Sequence, residues 1–294
     1  MSHHERLSRS PEAFRSLTGL TPAAFAALLA PVELAWRDAQ RRRRDRPGRR
    51  RRPGAGPKHA LGVADQLLML LIYYRTYVSH DFLAFLFGID DSTVCRNFRA
   101  LEPLLAGIFR VPERKVELQP DEIKEAFFDA SERPKNRPKR RQRRYYSGKK
   151  KRHTLKNQFV VVRKRKRAGR RKAKQKEKRR LRVAAVSATS PGKVHDKKVY
   201  DESRTIVPAG VESYGDTGYQ GTTLRTPHKK KAKQELTRRQ RRGNRRISRK
   251  RIAAEHAIGK MKVWRIASER FRNPTRRHTL IIKNVAGLHN LMFS

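Results

Sequence analysis

The sequence predicts an all-α region carrying a helix-turn-helix, followed by an α/β domain whose mixed sheet is flanked by helices. Three observations lead there. From Ala60 to Phe109 the apolar residues recur at helical spacing. Past Pro120 they shorten into strand-length runs, and those runs alternate with helical segments up to the last residues. At 294 residues the chain is long enough for one large domain or two modest ones, each with its own core.

Taken in order, Thr21-Pro22 reads as an N-cap followed by proline at the first helical position, opening a helix that carries Phe25, Leu28, Leu29 and Leu34. Residues 1–38 are thus a small helical leader. Residues 39–59 form a basic linker, in which Arg41 to Lys58 combines like charges with Pro and Gly and has nothing to bury. It is either a solvated tether or a segment that tracks phosphates. Residues 60–118 make the helix-turn-helix domain. Val63 to Tyr77 is its first long helix, with Val63, Leu67, Leu70, Leu71 and Tyr74 at helical spacing. A short helix from Ser79 then ends at Gly88, where glycine permits the tight turn; Ile89 plugs the core, and an Asp/Ser cap opens the next helix. That layout places Ser92, Thr93, Arg96, Asn97 and Arg99 on the exposed early turns of a recognition helix, with Cys95 and Phe98 as core. An ordinary helical hairpin with solvated arginines is the competing interpretation.

Residues 119–294 make the α/β domain. Ile123 to Ala130 reads as a strand ending at Asp129, Asn157 to Val162 as a second and Leu181 to Ser187 as a third, with a basic insertion at 163–180 as a long hairpin loop. Pro191-Gly192 marks a turn, and His195 to Glu202 a helical segment. Val211 to Gly215 is a short fourth strand leading to Asp216 and the turn-rich Thr217 to Gly221. A helix over Arg251 to Lys262 carries Glu255, the only acid between Arg238 and Arg265, and a last helix, about Thr275 to Met292, buries Leu280, Ile281, Val285, Leu288 and Leu291.

Charge narrows the function classes. With 74 Lys+Arg against 26 Asp+Glu the formal net charge is +48, which calls for a polyanionic partner, and nucleic acid leads. The longest apolar run, Leu67 to Ile72, is too short to span a bilayer, so no membrane partner is expected. The N-terminus shows no apolar core of an export signal, and Cys95, alone, excludes a disulfide framework or a zinc ribbon. The expected location is cytoplasmic and nucleoid-associated.

Three carboxylates stand out in this basic chain. Asp129 and Asp216 sit where strands end, and Glu255 shares a helix face with Arg251, Gly259 and Lys262 beside an apolar stripe of Ala254, Ala257, Ile258 and Met261. Three acids meeting would repel one another unless a divalent cation lay between them, and hard oxygen ligands suit Mg²⁺ or Mn²⁺. Two such ions can assist in-line displacement at a phosphodiester. Each acid also has a plain structural explanation: a strand cap for Asp129, a turn for Asp216, and a weak surface pair with Arg251 for Glu255.

The ordered motifs FFDASERP, YGDTGYQG and RIAAEHAIGKMK resemble those of DDE transposases of bacterial insertion sequences, in particular the IS5-type group with its RNase H-like catalytic domain. The spacings, 87 residues from Asp129 to Asp216 and 39 from there to Glu255, are similar too. Arg251, Glu255 and Lys262 fit the family pattern around the last acid, while Ser248 stands where the family has tyrosine. Ser147 to His153, Gly192 and His195-Asp196 add to the likeness. The resemblance implies that Asp129, Asp216 and Glu255 are the catalytic, metal-holding residues for two Mg²⁺ or Mn²⁺ ions, and that Arg251 and Lys262 contact phosphate. Lys149, Lys150, Lys151 and Arg152 are further phosphate contacts or simply a solvated run. Gly259 either lets DNA approach or serves helix packing, and His195, His256 and Asp196 either assist or are structural. The implied activity is cutting of insertion-sequence ends and joining of the freed 3′-hydroxyl to target DNA, by a homodimer or larger assembly on DNA. A catalytically inactive or repurposed DNA-binding protein, or a purely structural nucleic-acid binder, are the alternatives.

Overall fold

A computed structural model describes residues 1–45, 60–165, 181–230 and 234–293. Most of the basic linker (46–59) and most of the basic insertion (166–180) lie outside them. The chain divides into two compact units, Met1–Arg110 with Val263–Ile266, and Val111–Lys262 with Ala267–Ser294.

The first unit is all helical. Two short helices, α1 (His3–Ser8) and α2 (Pro11–Thr18), precede α3 (Pro22–Arg44). Neither has an apolar run long enough to declare itself; local chemistry forms them. Ser2 and Glu5 make a reciprocal capping box, and the backbone amide and ring of His4 both bond to Asp65. In α3, Thr21 accepts from the Ala24 amide and Pro22 is the first helical residue, as the sequence predicts. The buried face runs Phe25, Leu28, Val32, Trp36; Leu29 is half-buried and Leu34, expected inside, is 62% exposed because it lies off that stripe. The helix also continues through Arg41 to Arg44, residues expected in the linker.

Helix α4 (Val63–Thr76) is buried all round from Asp65 to Tyr74, which makes it the axis of this unit. Ser79 caps α5 (His80–Phe87) through the Phe82 amide, and Gly88 at φ +62° closes it in the left-handed region. Helix α6 (Asp91–Phe109) follows α5 after three residues, Gly88 to Asp90. The turn differs from expectation in one detail: Ile89 is only half-buried, and Phe87, Val94, Phe98 and Leu101 fill the space instead. Phe98 stacks on Tyr73 with centroids 4.8 Å apart, while Cys95 stays half-exposed.

The second unit is built on β1 (Ile123–Pro134), β2 (Tyr146–Ser147), β3 (Arg152–Lys164), β4 (Leu181–Val186), β5 (Ser190–Pro191) and β6 (Glu212–Tyr214). The main sheet order is β4-β3-β1-β6, antiparallel except for β1 beside β6, which run parallel. Among the described residues, the helices α7 (Gln142–Tyr145), α8 (Asp196–Ser203), α9 (Arg238–Met261) and α10 (His278–Phe293) accompany it. This mixed sheet flanked by helices is an RNase H-like arrangement. Both long strands outrun their apolar stretches, and β1 does not end at Asp129. Its polar extension is held by continuous pairing with β3 and by a nearly buried Lys156–Glu132 ion pair at 3.4 Å.

One core, with Ile123, Ala126, Phe128, Val160, Val162, Ala185 and Tyr219, fills the side of the sheet that meets Tyr200 of α8. Helix α9 starts well before Arg251, at a Thr237/Gln240 capping box, and buries Ala253, Ala254, Ala257, Ile258 and Met261, the stripe expected from the sequence. In α10, Ile281, Val285 and Leu288 are buried but Leu280 is half-buried and Leu291 exposed. The place expected for Leu291 is taken by polar Asn290, whose side chain accepts from the Val183 amide at 2.8 Å and donates to the Val183 carbonyl at 2.9 Å. It completes the open edge of β4 as a neighbouring strand would.

Candidate active site

Strand register positions the first two acids. Glu125, Ala126 and Phe127 of β1 pair in parallel with Glu212, Ser213 and Tyr214 of β6. Asp129 and Asp216 each lie two residues past the last of these pairs, so neighbouring strands deliver them side by side. Alternation puts Asp129 on the same face as Glu125 and Phe127. Helix α9 covers that face. Lys250 reaches Glu125 at 2.6 Å and sits over the Tyr214 ring at 4.5 Å, which fixes the helix just where Arg251 and Glu255 follow.

Asp129 is half-buried, and its carboxylate accepts from the Ala130 amide at 3.0 Å. Burial pushes its pKa up from 3.8 to about 6; Arg251 pulls it down, and the charges of Asp216 and Glu255 push it further up. Asp216 opens a 3₁₀ turn, Thr217–Tyr219, by accepting from the Gly218 amide at 2.8 Å. The Tyr219 hydroxyl is buried with no hydrogen-bond partner, and burial followed by the charges of Asp196, Asp129 and Asp216 raises its pKa. Arg251 is 15% exposed, with its Nε buried and unpartnered, and its Nη2 lies 4.0 Å from Glu255. Glu255 points more to solvent, 59% exposed. The two aspartates, Glu255 and Arg251 therefore share one electrostatic neighbourhood. Among the described residues, no three His, Cys, Asp or Glu side chains gather closely enough to hold one metal ion. In chemistry the donors fit a hard divalent cation: they are all oxygens, and a carboxylate that burial keeps near pKa 6 gains most from one.

The other candidates are spread more widely. Lys262 is exposed at the C-cap of α9, Gly259 is exposed with open space around it, and His256 is exposed. Lys149, Lys150, Lys151 and Arg152 are exposed around the β2–β3 turn, with Lys151 at φ +51°. In the first unit Ser92, Arg96 and Arg99 are exposed and Thr93 is half-buried; Arg96 Nη2 lies 2.7 Å from the Thr93 hydroxyl. Asn97 is the exception. It is 8% exposed, because it shares the inner face of α6 with Val94 and Leu101 instead of the outer face with Arg96. The sequence did not reveal Lys156 or Glu132, which one cation among 74 and one acid in a polar strand end cannot signal. His195 caps α8, its Nδ1 accepting from the Lys197 amide at 3.3 Å.

No single helix among the described residues is long and apolar enough to cross a membrane. Residues 59–110 match the helix-turn-helix of DDE superfamily endonuclease, and residues 177–290 match DDE superfamily endonuclease itself. A probable transposase for insertion sequence element IS702 of Microchaete diplosiphon is 29% identical over 285 residues, covering 94% of this chain and 93% of its own length. A putative transposase for insertion sequence element IS112 of Streptomyces albus G is 25% identical, covering 96% and 95%. No solved structure matches the chain. Two stretches of the chain are thus similar to this superfamily, residues 177–290 to its endonuclease domain and residues 59–110 to its helix-turn-helix.

Proposed function

We propose that this chain is a transposase of an IS5-type insertion sequence, cutting DNA at the ends of its element and joining the freed 3′-hydroxyl to target DNA. The observation that carries this is the delivery of Asp129 and Asp216 by adjacent parallel strands under the helix that bears Arg251 and Glu255. The three acids would hold Mg²⁺ or Mn²⁺, two ions at full occupancy, which when bound activate the attacking oxygen and stabilise the leaving one. The protein's own groups do the rest. Arg251 keeps Asp129 ionised near neutral pH and offers an unpartnered Nε. Lys262 and the Lys149 to Arg152 turn present cations to the phosphate backbone. Ser92, Thr93, Arg96 and Arg99 read the element's ends. The chain acts on DNA as a homodimer or larger assembly in the nucleoid.

A second function is favoured by one observation. The exposed Glu255, outside any three-acid cluster among the described residues, suits a chain that binds the ends without cutting them. Incubating the protein with DNA carrying its element's ends separates the two. Mg²⁺-dependent cleavage lost in Asp129→Ala, Asp216→Ala and Glu255→Gln, with binding retained, supports the transposase; binding without cleavage by the unaltered chain supports the other.

A further inference from the structure

We propose that Asp196 is a fourth carboxylate of this site, a positioning residue that holds the Asp216 turn and adds negative charge for the divalent cation. The inference rests on the active-site assignment above. Asp196 is the first residue of α8, and its two oxygens face different tasks. Oδ1 accepts from Lys156 Nζ at 2.8 Å; that ammonium also donates to the Val194 carbonyl at 2.7 Å and pairs with Glu132 at 3.4 Å. Glu132 in turn accepts from the Thr154 hydroxyl at 2.8 Å. Lys156 and Glu132 are almost fully buried, so Asp196 is anchored from inside the sheet, not from solvent.

Oδ2 faces the site. A Cβ built on Gly218 would lie 3.0 Å from Asp196 Oδ2 and 2.9 Å from Asp216 Oδ1, so both carboxylates press against one glycine. Asp216 is itself bonded to the Gly218 amide. Any movement of Asp196 is therefore transmitted to the turn that carries Asp216. An independent sign of a missing ligand lies next door. The Tyr219 side chain is fully buried, yet its hydroxyl has no hydrogen-bond partner, and it sits within the field of Asp196, Asp129 and Asp216. Buried hydroxyls without partners are rare, and this one, in the field of three acids and of Arg251, fits a place that a cation and its water would occupy.

A role confined to balancing Lys156 makes a different prediction from a role in the site. The test is Mn²⁺ titration calorimetry on the full chain without DNA, beside melting temperatures in EDTA. Asp196→Asn keeps an acceptor for Lys156 and removes the charge. It is expected to weaken Mn²⁺ binding about tenfold or more, the usual scale for residues supporting a metal ligand, with the EDTA melting temperature little changed. A lowered melting temperature with unaltered Mn²⁺ affinity overturns the proposal. Should Asp196→Asn fail to fold, Asp196→Glu carries the same question, since it keeps a charge for Lys156 but its longer side chain no longer fits against Gly218 as the aspartate does. It too must weaken Mn²⁺ binding. Asp129→Asn and Asp216→Asn are the controls. If they lose Mn²⁺ and Asp196→Asn does not, this inference alone fails; if neither aspartate matters, the active-site assignment fails with it.

Discussion

Phe127 of β1 and Tyr214 of β6 are register partners on neighbouring parallel strands, and their rings stack with centroids 5.8 Å apart. That one pairing sets the geometry of the site. It aligns two strands from distant parts of the sequence, so that Asp129 and Asp216 emerge at the same level beneath α9. A one-residue slip would turn Asp129 to the opposite face.

The electrostatic strain at Asp129 should be measurable in the metal-free protein. Burial holds its pKa up at about 6, against 3.8 for an ordinary aspartate. The folded chain thus holds this proton more tightly than the unfolded chain. The resulting stabilisation is complete below about pH 3.8 and is lost as pH rises through about 6, some 3 kcal/mol for a shift of about two units. Asp129→Asn, a permanent mimic of the protonated form, is therefore expected to be more stable than the parent in EDTA at pH 7.5, by up to about 3 kcal/mol, and less so at pH 5. Urea denaturation at the two pH values checks this. A variant less stable than the parent at pH 7.5 would contradict it.

The outer face of α6 should carry selectivity and its inner face should not. Replacing Arg96 and Arg99 with alanine is expected to cost about tenfold or more in preference for the element's ends over random duplex. Asn97→Ala, on the buried side, should lower stability by about 1 kcal/mol and leave the preference intact. Competition binding at fixed salt measures the first, and denaturant midpoints the second. Equal loss of preference in both variants would reject the assignment of faces.

Asn290 closes the β4 edge with two hydrogen bonds to Val183, both buried. Asn290→Ala leaves that amide and carbonyl unsatisfied, so a loss of about 1–3 kcal/mol is expected. End binding should be unaffected. A change within about 0.5 kcal/mol would show that water replaces the side chain at no cost.

Gly192 has no room for a side chain. A Cβ there would stand 1.7 Å from Thr154 Oγ1 and 3.0 Å from the Thr154 carbonyl oxygen. Because Thr154 bonds to Glu132, Gly192→Ala disturbs the support of Lys156 as well as the local turn. Destabilisation of about 1–3 kcal/mol is expected, accompanied by weaker Mn²⁺ binding. Unchanged Mn²⁺ affinity would uncouple this turn from the site.

Much of this was legible in the residues. The α9 stripe, the Thr21-Pro22 start, the Gly88 turn and the order of strands follow from periodicity, capping and glycine conformation, which are local. What was hidden depends on partners distant in sequence. Helix α1 forms through its capping box and the His4–Asp65 bonds, and α2 between Pro11 at its start and left-handed Gly19 at its end, with few apolar residues to announce them. The polar half of β1 exists because β3 runs beside it, and Asn97 lies inside because of where α6 packs. At the site, ordered motifs single out Asp129, Asp216 and Glu255 as candidates. The Lys156–Asp196 pair could not, because its meaning lies in burial that no local pattern encodes.

Whether Asp129 and Asp216 cut DNA strands together is decided by single-turnover cleavage of a labelled duplex bearing the element's terminal repeat, in Mg²⁺, with the parent chain and Asp216→Ala in parallel. The parent is expected to leave a free 3′-hydroxyl at the element's end, and the variant none even though it still binds the duplex. Undiminished cleavage by Asp216→Ala would contradict this expectation.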